Sequence, residues 1–541
     1  MSVMTRVGES RRRHLLAAAG AVLLLAGPVL AGCSGGSSAP SSDQIVLGEG
    51  QDLGDFNPML GYGQLGVSPI YEGLLIPAAD GDDRVPDLVP SLAESIPEQV
   101  APRTWRVVLR SGVTFSDGTA FDAEDVVATY RAVVDPRVAA DISTDFAPIV
   151  AVEPDGPQAV TVRMDTDADP SPYLLLGIVP SERVETTPAA EWAINTAPVG
   201  TGAYALESLE PDQAVLAVRE NYWGDTPSVR RLVYSHVPDD NTRAQRIGTG
   251  EIDGANLPPR LADGLTDRDG IEVVAVKSAD WRGVSLPNDN AFTADPAARL
   301  AMNVGVDRTA IVDEVLIGKG EAASTPIASV YGDAFDEGAQ FGFDADRAGS
   351  ILDAAGWRKG ADGIRGRGGA RASFPLLYNA SDTLRRDLAV AFAASMKKIG
   401  VEVLTRGTSW DEIETKMTSA GVLLGGGATP YSIDSQVYDT LHTRVPDSSP
   451  YSNPGDFTAP GLDETLDAAR ESAPGPENDE RYRRIQQIYV KQPSYVFLAF
   501  LRHTYASRGA GWKHDAPILE PHSHGVTWGP WWNLPSWTPS A

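Results

Sequence analysis

Apolar positions along this chain recur in two alternating rhythms. Segments such as TWRVVLR (104–110) and RLVYSHV (231–237) repeat every second residue, as strands with a buried face do, and Trp105, Val107 and Leu109 fall together on that face. Other stretches follow helical spacing, such as TLRRDLAVAFAASMKKIG (383–400). There Leu384, Leu388, Val390, Phe392 and Met396 are read as the apolar side, Lys397 and Lys398 suit the negative end of the helix dipole, and Gly400 is the stop. VEVLTRG follows at once, so helix passes into strand. This alternation predicts an α/β architecture.

The first 33 residues depart from the pattern. Arg6, Arg11, Arg12 and Arg13 precede the apolar run LLAAAGAVLLLA, and GPVLAGC follows it. The run is shorter than the ~20 residues that cross a bilayer, and Gly27-Pro28 breaks it, so residues 1–32 read as a signal peptide. Leu30-Ala31-Gly32-Cys33 resembles the bacterial lipobox, which implies that the Cys33 thiol is lipidated and becomes the mature N-terminus. SRRRHLL partly resembles a twin-arginine export signal and departs from it at His14. SGGSSAPSSDQ then reads as a flexible tether, so that residues 33–44 would hold a globular body beside a membrane. From about residue 45 onward no second apolar run is long enough to span a bilayer.

Composition narrows the function classes. The chain has 541 residues, 42% of them hydrophobic, enough for large cores. With 45 Lys and Arg against 73 Asp and Glu, the net charge is −28. That balance argues against nucleic acid, which needs a basic footprint, and favours a cationic or zwitterionic ligand. Cys33 is the only cysteine, so no intrachain disulfide forms.

The most distinctive passage is LRSGVTFSDGTAFDAEDVVATY (109–130). Gly118 permits a turn, Asp122 stands at an N-cap, Asp125 lies in the first helical turn, and Val126, Tyr130 and Val133 or Val134 continue one face. Acids placed there stabilise a helix, and that capping reading is preferred to a catalytic carboxylate pair. The passage resembles the signature of the family 5 extracellular solute-binding proteins of bacterial ABC importers. APVGTGAYAL (197–206), ENYWGDTP (220–227), GEIDGA (250–255), AARLAMNVGVDRTAIVDEVLIGKG (297–320) and FDADRAGSILDAAGW (343–357) follow in that family's order. Taken alone, Gly200 and Gly202 allow a tight turn, and Asp344 caps a helix that stops at Gly356.

The resemblance implies a two-lobed periplasmic-binding-protein-like fold, type II and cluster C-like. Lobe one would span 45–275 with an inserted subdomain at about 95–195, and lobe two 276–490. Residues 491–541 would return to lobe one and end in a Trp-rich tail (Trp528, Trp531, Trp532, Trp537). It further implies an extracytoplasmic, non-enzymatic receptor without cofactor, a monomer that captures short peptides in a closing cleft. The receptor would deliver them to an ABC permease driven by a separate ATPase. Alternatives are a receptor for haem or a nickel chelate, and a lipid-tethered cell-envelope hydrolase.

By family position the cleft would draw on Asp55, Asn57, Tyr62, Trp281, Asn288 and Trp410, and on Gly426, Gly427, Ala428 and Thr429 of GGGATPYSIDSQ (425–436). Peptide binders anchor the ligand amine with an Asp in a pattern like A-D-Y-x-D-P. Here Thr429 or Pro430 falls at that position, which leaves Asp434 as amine anchor or as helix cap. Ser395-Met396-Lys397-Lys398 is a formal S-x-x-K without its SDN and KTG partners, and Ser395 belongs to the amphipathic helix. His442 and His503 are candidate contacts for a metal chelate, and His522 with His524 stand at a spacing that could ligate metal, but no protein metal site is predicted.

Overall fold

In the computed structural model, residues 43–79, 84–427, 429–445, 449–509, 511–522 and 525–540 are described. Cys33, Ala428 and His524 lie outside them. In chain order the strands that matter are β1 (Gln44–Glu49), β2 (Glu98–Ala101), β3 (Thr104–Val108), β4 (Ile149–Pro154), β5 (Ala159–Met164), β6 (Tyr204–Glu210), β7 (Gln213–Val218) and β8 (Arg231–His236). They continue with β9 (Gly254–Leu257), β10 (Glu272–Ser285), β11 (Gly320–Ala322), β12 (Ser373–Asn379), β13 (Glu402–Thr408), β14 (Gly421–Gly426) and β15 (Tyr495–Ser507). Eleven of these form one sheet in the order β13-β12-β14-β10-β15-β9-β1-β8-β7-β6, with β11 alongside β15.

Two long strands join its halves. The first part of β10 and the last part of β15 pair from Glu272↔Ser507 to Lys277↔Arg502, and β15 also pairs there with β9. The other ends pair from Trp281↔Phe500 to Ser285↔Tyr495, where β10 also meets β14. Between them the register breaks from Lys277 to Trp281. A register break of this kind bends and twists a strand, and each half has its own apolar core. Leu47, Tyr204, Leu232, Tyr505 and Trp531 belong to one. Val284, Phe374, Phe392 and Leu498 belong to a second, and Trp281, Leu424, Tyr489 and Phe497 to a third.

In the first half β1 runs parallel to β8 and β9; in the second, β12 runs parallel to β13 and β14. A separate sheet, β2-β3-β5-β4, carries helix α1 (Ala123–Val133). Asp122 accepts the Glu124 N–H and Asp125 accepts the Asp122 N–H, the reciprocal cap that the acidic pair at this spacing predicts. Asp344 likewise caps α3 (Ala345–Ala354), where α2 is Asp240–Thr249.

Two sequence expectations change. On α4 (Thr383–Lys398), Leu388, Phe392 and Met396 are buried, but Val390 is 54% exposed. It stands two positions off their four-residue rhythm, roughly 200° around the helix. Gly200 and Gly202 have negative φ, and their requirement is space. A Cβ would lie 2.1 Å from the Ile70 carbonyl oxygen at Gly200 and 2.5 Å from that of Pro69 at Gly202. In the tail, Trp531 meets Tyr505 edge-on at 5.6 Å, and Trp528, Trp532 and Trp537 are buried in the same core.

Candidate functional site

Parallel strands leave their carboxyl ends open to one side, and ligands of α/β sheets gather there. Here the carboxyl ends of β1, β8 and β9 and those of β12 and β13 border one cavity of about 740 Å³, floored by β15 near Leu501–Thr504. Gly48–Gln51 and Asn256–Pro259 form one wall; the first turn of α4 and Trp410 form the other.

The lining holds four arginines (Arg243, Arg282, Arg385, Arg502) and three carboxylates (Glu49, Asp240, Asp382), although the chain as a whole is acidic. The carboxylates are held in place. Glu49 accepts the N–H groups of Gly50 at 2.7 Å and Gln51 at 3.0 Å, and also that of Val526 at 3.3 Å. Asp240 pairs with Arg243, whose Nη1 donates to the Val237 carbonyl at 2.7 Å. Asp382 caps α4 and pairs with Arg385. The Arg385 guanidinium lies 5.3 Å over the Trp410 ring, and burial together with the nearby Arg282 charge holds its pKa below the usual arginine range.

Beneath the cavity, where the register of β10 breaks, a buried polar network joins three parts of the chain. His503 Nε2 lies 3.0 Å from Asp280 Oδ2, and His503 Nδ1 lies 2.7 Å from Glu520 Oε2. Burial opposes charge on the ring, but these two carboxylates outweigh it and raise the His503 pKa. Asp280 is fully buried too. Desolvation would raise its pKa, yet Arg282, His522 and His503 together hold it well below the usual carboxylate range. Tyr505 Oη donates to Glu520 at 2.8 Å, and the Gly529 N–H donates to it at 2.7 Å, which ties the Trp-rich tail to this floor.

Of the residues nominated from sequence, Trp410, His503 and His522 line the cavity. Asp55 is exposed with φ +50°, and Asn57 is buried, donating to Asn195 Oδ1 at 2.9 Å and capping the turn at Met59. Tyr62 packs edge-on against Phe56 and Tyr71, and Asn288 is exposed. Gly426 and Gly427 lie against β10, where a Cβ would fall 2.4 Å from the Trp281 indole and 2.5 Å from the Ala279 carbonyl oxygen; they serve strand contact. The Thr429 hydroxyl is buried, without a hydrogen-bond partner among the described residues.

Asp434, in the first turn of α5 (Ile433–Leu441), is already taken. Arg470, at the end of α6 (Leu462–Arg470), donates to it from Nε at 2.9 and 3.1 Å and lies 2.8 Å away through Nη2. That pairing is an alternative to its expected use as an amine anchor. His442 stacks on Tyr438 at 4.5 Å. Ser395 is buried on α4.

Trp281 was a near miss. Strand alternation turns its ring into the apolar core, at 4.9 Å from Phe497 and 5.8 Å from Tyr495. The adjacent Arg282 lines the cavity instead. Period-two alternation through D-W-R was the signal that could have found it.

Comparison with known proteins agrees with this architecture. Residues 87–446 match the model of the bacterial extracellular solute-binding proteins, family 5 Middle. The chain belongs to this family. It is 37% identical over 478 residues to Protein XP55 of Streptomyces lividans, covering 87% of this chain and 85% of that protein. Among solved structures, NikZ from Campylobacter jejuni in complex with Ni(L-His) is similar with a TM-score of 0.79 at 22% identity, over 92% of this chain and 99% of that one. The oligopeptide-binding protein AppA from Bacillus subtilis, in complex with a nonapeptide, gives 0.76 at 21% identity, over 93% and 100%. Its relatives bind different solutes on one two-lobed frame.

Proposed function

We propose that this family 5 protein is the peptide receptor of an ABC importer. It captures di- to oligopeptides in the cavity between the two strand sets and delivers them to a membrane permease served by a separate ATPase. The supporting observation is a cavity of about 740 Å³ that presents both signs of charge, as the two ends of a peptide zwitterion require. β10 and β15 are the hinge strands, with the crossing between lobes at the break in their register. Lipid on Cys33 keeps the receptor, a monomer, at the outer face of the membrane. Closure about such a hinge buries the ligand.

Calorimetric titration of the purified protein with di-, tri- and pentapeptides tests the assignment. Micromolar or tighter binding of peptides with differing side chains is expected. Binding of none of them, with binding of Ni(L-His) instead, would replace the peptide reading by a metal-chelate one, which the likeness to the nickel complex motivates.

A further inference from the structure

Arg282 is 4% exposed and Arg385 9%, and both line the cavity. A buried guanidinium is costly unless its donors find acceptors. In each residue only half of that requirement is met. The Arg282 hydrogen bonds all leave from Nη1, to Asp280, to the Trp281 carbonyl at 3.3 Å and to the His522 ring at 3.2 Å. Arg385 uses Nη1 for Asp382. Among the described residues, Nε of Arg282 and Nε of Arg385 are buried without any partner, and no hydrogen bond leaves Nη2 of either.

The Nε–Nη2 edge is the fork that takes a carboxylate side-on through two parallel hydrogen bonds. Two such edges, one from β10 and one from the first turn of α4, are left without partners on residues that line one cavity. Asp280 and Asp382 hold the guanidinium groups by their other nitrogens, which orients them before any ligand arrives. Trp410 supports Arg385 from its ring face at 5.3 Å.

We propose that Arg282 and Arg385 form an oxyanion subsite that binds a carboxylate of the ligand. The inference deepens the receptor reading and rests on it for the identity of the ligand. The carboxylate has two sources in a peptide, the chain terminus or an acidic side chain. Lysine at either position would keep the charge and lose the fork.

The test is calorimetry on the mature chain with trialanine, trialanine amide, Ala-Glu-Ala amide and succinate. Trialanine should bind roughly 10- to 100-fold more tightly than its amide. Arg385→Gln and Arg282→Lys should each remove most of that difference while the amide keeps its affinity. Recovery of affinity by Ala-Glu-Ala amide assigns the subsite to a side chain; its failure assigns it to the terminus. Arg385→Gln keeps the test open if Arg282→Lys fails to fold. Equal binding of trialanine, its amide and Ala-Glu-Ala amide overturns the subsite. If no peptide binds, the peptide reading falls and succinate decides: binding lost in Arg385→Gln upholds the subsite, and no succinate binding overturns it.

Discussion

Asp280 and His503 meet at 3.0 Å between the two strands that join the halves of the sheet, and both are buried. With Glu520 on its other nitrogen, the ring has a carboxylate beside each nitrogen, and both favour its charged form. Removing one partner of a buried pair costs about 3–5 kcal/mol, so His503→Gln should destabilise the fold by that order.

The pH dependence has a definite sign. His503 has a raised folded pKa, so its contribution is full below about 6.5 and declines as pH rises through the folded value. Asp280 has a depressed folded pKa, so its contribution is present above about 3.9 and is lost as pH falls. Urea denaturation from pH 4 to 9 should show the gap between wild type and His503→Gln narrowing above about pH 6.5. A constant gap over that range would mean that the ring is neutral.

Asp434 and Arg470 form a closed pair, with the guanidinium also 3.2 Å from the centre of the Tyr438 ring. Asp434→Ala should therefore lower stability by about 1–3 kcal/mol. Trialanine and N-acetyl trialanine should lose affinity equally, if either loses any. A selective loss for the free amine would restore Asp434 to the ligand site.

The Trp-rich tail is part of the core. Gly254 admits Trp531 because a Cβ there would lie 2.2 Å from the indole. Trp531→Ala should cost about 3–5 kcal/mol, and truncation after Gly525 should lower the melting temperature by more. An unchanged melting temperature on truncation would contradict the packing.

Local rules carried much of this fold. Asp122 with Asp125, Asp344 and the Leu388-Phe392-Met396 row were legible because caps and helical faces depend on residues within a turn of each other. The site was less legible because it depends on distant partners. His503, Asp280 and Glu520 come together only through the pairing of β10 with β15 and the return of the tail, separations of 223 and 17 residues. The whole-chain charge does not report on the cavity, where arginines outnumber carboxylates although the chain is acidic. Family position points to the segment that holds Trp281, and strand alternation within it points to the neighbour, Arg282.

The central claim is that the cavity holds peptides, and mass spectrometry of small molecules released by denaturing the freshly purified protein tests it most directly. A mixed population of short peptides with free carboxyl termini is the expected result. A single non-peptide species would contradict it.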